Sequence, residues 1–277
     1  MTCPENPVTR PRALLPLAAS LLVVLGVSSE AHADHCHPDH PVEYFVKPLR
    51  LRVGLSVEAA TYATERYEGE YQGTSLDVSW KHKWVELRAA MPAYRIVRNG
   101  LPELGLGDVF ADVRVPFMDT NSLSNLNTGI ALAATFPSGD PERDLGMGHV
   151  MLMPALWLTW RGLAPFLQVQ VAYGRALAAA SEHAHHGGGP RPIVNPMNAS
   201  EIEFFATAGT LLHPFVVVRG GIYGAVPIAT EAGESRGALV LGSDLILRYA
   251  EFGLETHLPV AGDPFLAKVQ MTVAARF

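Results

Sequence analysis

Histidine is the residue whose type and spacing first suggest chemistry in this chain. His183, His185 and His186 fall within a few positions of one another, as do His35, Cys36, His37 and His40. Imidazole nitrogen and thiolate sulfur are good ligands for zinc, copper or nickel, so His183, His185, His186, His35, Cys36 and His37 are candidate transition-metal ligands. No third, rigidly spaced ligand set accompanies either cluster to fix a geometry, and histidine-rich segments also take up adventitious metal. No organic cofactor is expected.

Catalysis finds less support. An esterase-like site would need a serine, a histidine and an orienting acid gathered at one place. His149, or His257 with Glu255, supplies part of such a set, but no Gly-x-Ser-x-Gly signature stands near either. Gly105-x-Gly107 lacks the third glycine and the following helix of a dinucleotide site. The chain is therefore expected to be no enzyme.

The remaining ionisable residues follow a rule of position. Arg50, Arg52, Glu58, Glu86, Arg88, Asp108, Asp112, Arg114, Glu201, Glu203, Arg219, Asp244, Arg248, Glu251, Glu255, His257 and Lys268 alternate with apolar residues along the chain. Alternation with a period of two places the charges on one face of a strand and the apolar residues on the other. Such charges line either a wet pore that tunes selectivity or an interior stiffened by ion pairs.

The elements that must position them are strands. From Phe265 to Phe277 every second residue is apolar or small, with Lys268, Gln270, Thr272 and Arg276 between them. This is longer than the usual strand of a soluble protein and long enough to cross a bilayer at a tilt. The same pattern recurs through Leu49 to Ala59, Leu76 to Trp80, Val85 to Ala93, Val109 to Phe117, Asn127 to Phe136, Val150 to Trp160, Leu167 to Tyr173, Glu201 to Ala208, Val216 to Val226, Leu239 to Leu247 and Glu251 to Val260. About twelve strands result. Pro154 interrupts one of them, since proline cannot donate to a ladder. Loops are expected at 64–71, through Arg98-Asn99-Gly100 to Val109, at 137–148 and at 176–200, with short turns alternating between the long connections.

A sheet in hydrocarbon can have no open edge, because each unsatisfied backbone group costs several kcal/mol. The expected fold is thus all-β: a single-chain antiparallel transmembrane β-barrel of about twelve strands, with short periplasmic turns and long extracellular loops. A soluble sandwich or lipocalin-like barrel would turn its apolar face inward and use shorter strands.

Composition agrees. Charged residues make up 17 % of the 277 residues, and the formal net charge of -6 offers no basic footprint for nucleic acid. Arg10 and Arg12, the apolar run Ala13 to Val27 and the small-x-small site Ala31-His32-Ala33 form a secretory signal peptide cleaved near Ala33. The expected organisation is a signal peptide at 1–33, a His-rich periplasmic extension at 34–47 and the barrel at 48–277. With Cys3 removed in the leader, Cys36 is left without an intramolecular disulfide partner.

Four short motifs carry a further signal: Gly105-Leu106-Gly107-Asp108-Val109, Thr128-Gly129-Ile130-Ala131-Leu132, Phe136-Pro137-Ser138-Gly139-Asp140 and Leu145-Gly146-Met147-Gly148. In order and spacing they resemble the outer-membrane transporter family named after the meta-pathway of phenol degradation. Serine stands at Ser138 where that family usually has threonine. The resemblance implies a twelve-stranded outer-membrane barrel that helps a small, hydrophobic or aromatic molecule across the membrane. The expected partners are outer-membrane lipid and a small solute, with the chain a monomer or small homo-oligomer in a Gram-negative outer membrane. The alternative is a non-conducting surface barrel that binds metal or a partner through its His-rich loop and extension.

Overall fold

The structure is a computed structural model, and it describes residues 50–63, 68–98, 100–117, 125–143, 145–177, 198–228, 235–262 and 265–277. The histidine and cysteine clusters at 35–40 and 183–186 lie outside them, as do the expected leader and extension.

Among the described residues thirteen strands follow one another: β1 (Leu51–Ala63), β2 (Glu68–His82), β3 (Val85–Arg98), β4 (Leu101–Leu106), β5 (Val109–Pro116), β6 (Leu126–Phe136), β7 (Val150–Arg161), β8 (Pro165–Leu177), β9 (Ser200–His213), β10 (Val216–Pro227), β11 (Arg236–Ile246), β12 (Ala250–Ala261) and β13 (Phe265–Arg276). Consecutive strands pair antiparallel, except β4 with β5. β1 also pairs with β13 from Arg52↔Arg276 upward, which closes the sheet on itself. β4 and β5 share one place in the wall: β3 pairs with β4 through Ala93–Arg98 and with β5 through Glu86–Ala90. The thirteen strands therefore make a closed barrel of twelve wall positions.

The wall is inside-out by the standards of a soluble protein. Leu76, Leu87, Ile130, Leu132, Leu156, Leu241 and Leu254 stand exposed around the belt, while Glu58, Asp77, Glu201, Asp244 and Glu251 are almost wholly buried on the inner face. Trp84, Phe117, Trp160, Phe215, Tyr249 and Phe277 are exposed at the rim that carries the barrel's two ends, where an aromatic ring meets the water boundary of a membrane. Lysine in place of Leu132, midway along β6 and 49 % exposed, is expected to lower barrel stability by about 2–4 kcal/mol. Urea unfolding in lipid vesicles reads this, and an unchanged midpoint would mean that the face does not meet lipid.

Several sequence expectations change. The segment expected to loop at 64–71 is already strand from Glu68, and the longer loop expected after Arg98 is instead a tight turn with positive φ at Gly100 followed by β4. The connections 137–149, 178–199 and 228–235 share the rim away from the barrel's ends, but the short connections 64–67, 99–100 and 262–264 stand beside them, and the connection 117–125, longer than 228–235, lies on the opposite rim. Phe265, expected on the outer face, is buried inside. A register shift pairs Tyr62 with Phe265 and Thr61 with Ala267, so Leu266 becomes the odd residue and the alternation inverts past it. Pro154 does interrupt its ladder: the β7–β8 register passes from Leu152↔Arg175 directly to Ala155↔Ala172.

Candidate functional site

Neighbouring strands lie about 4.8 Å apart, so a side chain reaching across one intervening strand must span about 10 Å. Arginine is the side chain long enough to do so. Arg52 on β1 meets Asp77 on β2 (2.5 Å) and Glu251 on β12 (3.3 Å), reaching past β13. Arg219 on β10 meets Asp244 on β11 (3.2 Å) and Glu255 on β12 (2.8 Å), and Glu255 also holds His257 (2.6 Å). Arg236 on β11 meets Glu201 on β9 (2.7 Å), whose other oxygen accepts from the backbone N–H and side-chain amide of Asn198. Arg114 pairs with Asp112 (2.8 Å) and donates to Gln170 on β8 (3.0 Å). Lys268 lies 3.5 Å from Glu58, which also accepts from the Tyr71 hydroxyl.

Glycines make room for these bridges. A Cβ at Gly54 would stand 2.2 Å from an Asp77 carboxylate oxygen, and one at Gly73 would stand 2.6 Å from Glu58. The charged lining is thus built into the backbone as well as the side chains.

Where β1–β3, β6 and β7 approach the rim away from the barrel's ends, the interior is apolar. Ala60, Tyr62, Tyr71, Tyr94, Ile96 and Phe265 form one buried cluster, with the Tyr71 ring 4.9 Å from that of Phe265 and 5.7 Å from that of Tyr94. Phe110, Ala133, Met151 and Met153 form another. Into these clusters the connection between β6 and β7 delivers Leu145 and Met147, each 1 % exposed. A loop residue has this burial only if its connection folds into the barrel.

The wall break between β4 and β5 holds that connection in place. Asp108 accepts hydrogen bonds from the backbone N–H of Gly139 (3.0 Å) and of Met147 (2.6 Å). The Ser138 hydroxyl donates to the Gly107 carbonyl (2.8 Å) and accepts from the Val109 N–H (2.8 Å), replacing ladder bonds that the break removes. A Cβ at Gly146 would meet Asp108 at 2.4 Å, one at Gly105 would meet Leu145 at 2.5 Å, and one at Gly107 would meet the Tyr94 ring at 2.1 Å. Three of the four motifs singled out in the sequence, around Gly105, Phe136 and Leu145, therefore meet at this single joint.

Of the lining residues expected from sequence, Arg52, Glu58, Glu86, Asp108, Asp112, Arg114, Glu201, Glu203, Asp244, Glu251, Glu255, His257 and Lys268 are buried. Arg88 and Arg219 are half-buried. Arg50 and Arg248 are not brought to the site: both are exposed outside the strands, and Arg248 lies over the Tyr249 ring. Their alternation with neighbours continued past the strand ends, where it no longer sets a face. His149 is buried beside β7, away from the Glu255–His257 pair by sequence and strand.

Asp77, Arg236 and Arg276 also belong to the interior. Asp77 and Arg276 carry the alternation signal and were legible from it; Arg236 opens its strand too early to show one. Leu145 and Met147 had no periodic signal at all, being loop residues.

No protein-family model and no curated protein matches the chain. Among solved structures, an outer membrane channel from Pseudomonas putida F1 is similar with a TM-score of 0.64 at 10 % identity, covering 87 % of this chain and 100 % of that one. The KdgM porin is similar with a TM-score of 0.51 at 5 % identity, covering 82 % of this chain and 99 % of that one. At such identities the likeness is one of fold, and that fold is the outer-membrane β-barrel.

Proposed function

We propose that this chain is an outer-membrane channel giving a small solute passive or facilitated passage, exported through its leader and cleaved near Ala33. The observation that carries the reading is the inverted wall: an apolar belt with an aromatic rim outside, and a charged, ion-paired lining inside. The Tyr and Met clusters under the inward connection favour a solute with an apolar or aromatic body, and lipid is the barrel's other partner. The buried His257 is engaged by Glu255, which in turn holds Arg219, so these groups serve the lining and no catalytic role is assigned to them.

Planar-bilayer recording tests this. Purified protein that shows the heat-modifiable mobility of a folded barrel is expected to give discrete current steps in potassium chloride. Folded protein that gives neither current nor small-solute uptake into vesicles would overturn the channel.

A further inference from the structure

Arg276, near the end of β13, is 1 % exposed, and both terminal nitrogens of its guanidinium, Nη1 and Nη2, have no hydrogen-bond partner. Its register partner on β1 is Arg52, so two guanidinium groups face the interior side by side. Their situations differ. Arg52 is met by Asp77 and Glu251, Arg114 by Asp112, Arg219 by Asp244 and Glu255, Arg236 by Glu201, and Lys268 by Glu58. Glu251, which pairs in register with Ala274, is engaged by Arg52 through Oε1. The Phe277 carbonyl is taken by the Leu51 N–H (3.2 Å).

A buried cation whose fork meets no acceptor is costly, and the cost is relieved by an anion that supplies acceptors. A guanidinium presents its two terminal nitrogens in a plane that matches the two oxygens of a carboxylate. The same end of the interior has an apolar cluster: Phe166, Val217 and Ile246 are packed together, and Ile246 pairs in register with Glu251.

Building on the channel reading above, we infer that Arg276 is the binding residue for a carboxylate inside the barrel, and that the solute is a small organic acid with an apolar body. The carboxylate pairs with the fork of Arg276 and the body lies toward the Phe166–Val217–Ile246 cluster; all four side chains are closed to solvent, so neighbouring side chains move aside to admit the solute. A phosphate dianion fits less well, because the second cation it needs, Arg52, already holds two carboxylates.

Sodium benzoate, benzyl alcohol and inorganic phosphate serve as probes at constant ionic strength, with two readouts on the full-length mature chain: the melting midpoint of the folded barrel in detergent, and block of the bilayer current. Benzoate is expected to bind saturably in both, with benzyl alcohol and phosphate far weaker. Arg276→Gln is expected to weaken benzoate about 10- to 100-fold, the loss of a hydrogen-bonded charge, and Arg276→Lys by an intermediate factor. Should Arg276→Gln not reach the heat-modifiable form, Arg276→Lys alone carries the comparison.

Benzoate binding unchanged in the variants, phosphate binding as tightly as benzoate, or no saturable binding to the wild type would each overturn the inference. Conductance without benzoate binding removes the inference and leaves the channel. Benzoate stabilisation that depends on Arg276 in a barrel that never conducts removes the channel and leaves the anion site.

Discussion

Asp108→Ala is expected to raise the single-channel conductance and to lower the stability of the barrel by about 2–6 kcal/mol, the cost of leaving two buried amides without an acceptor. The two amides are those of Gly139 and Met147, at opposite ends of the connection that folds inward. The same carboxylate bridges both ends, so its removal frees the whole connection and not one end of it. Leu145 and Met147 would then leave the clusters around Tyr94 and Phe110, and the interior beneath that rim would widen. Asp108→Asn keeps one acceptor oxygen and is expected to fall between alanine and the wild type. Urea unfolding and bilayer recording read the two effects separately. A variant that matched the wild type in both would show that the connection is held by its apolar contacts alone.

The second large effect belongs to Arg52. Arg52→Met removes a cation that Asp77 and Glu251 share, both about 1 % exposed, and leaves their carboxylates without it in an enclosed interior. Removing one partner of a buried ion pair costs about 3–5 kcal/mol, because the group left behind stays charged away from water. The comparison is Arg50→Met, two residues earlier and exposed beyond the strand, which is expected to change stability by less than about 0.5 kcal/mol. The triple change Arg52→Met, Asp77→Leu, Glu251→Leu is expected to recover much of the loss, since it removes the orphaned charges along with the cation. Chemical unfolding of the set checks all three. Equal stability of the Arg50 and Arg52 variants would mean that the Arg52 bridge is hydrated and contributes no more than a surface pair.

Both effects arise where strands meet something other than their sequence neighbours, and that is where sequence reasoning was least informed. Just before and along β5, Asp108, Asp112 and Arg114 could be assigned to the inner face one by one because each is an even step from the next. That Asp108 spends its carboxylate on the backbone of 139–147 could not be read from the step count, since the contact spans 39 residues. The glycines at Gly105, Gly107, Gly139 and Gly146 were visible as motifs. Their reason, close approach to Leu145, Tyr94 and Asp108, appeared only when the three segments met.

What the chain's order of residues determined by itself is the local geometry: strands of period two, an apolar side and a charged side, and closure, because hydrocarbon tolerates no open edge. Those follow from interactions within one strand or between a strand and its solvent. Three things were decided only in the assembled barrel: which carboxylate each arginine reaches, the inversion of Phe265 past the shift at Leu266, and the inward fold of the β6–β7 connection. Each depends on register and curvature, which set distances between residues far apart in the chain, and no periodicity encodes a distance across a barrel.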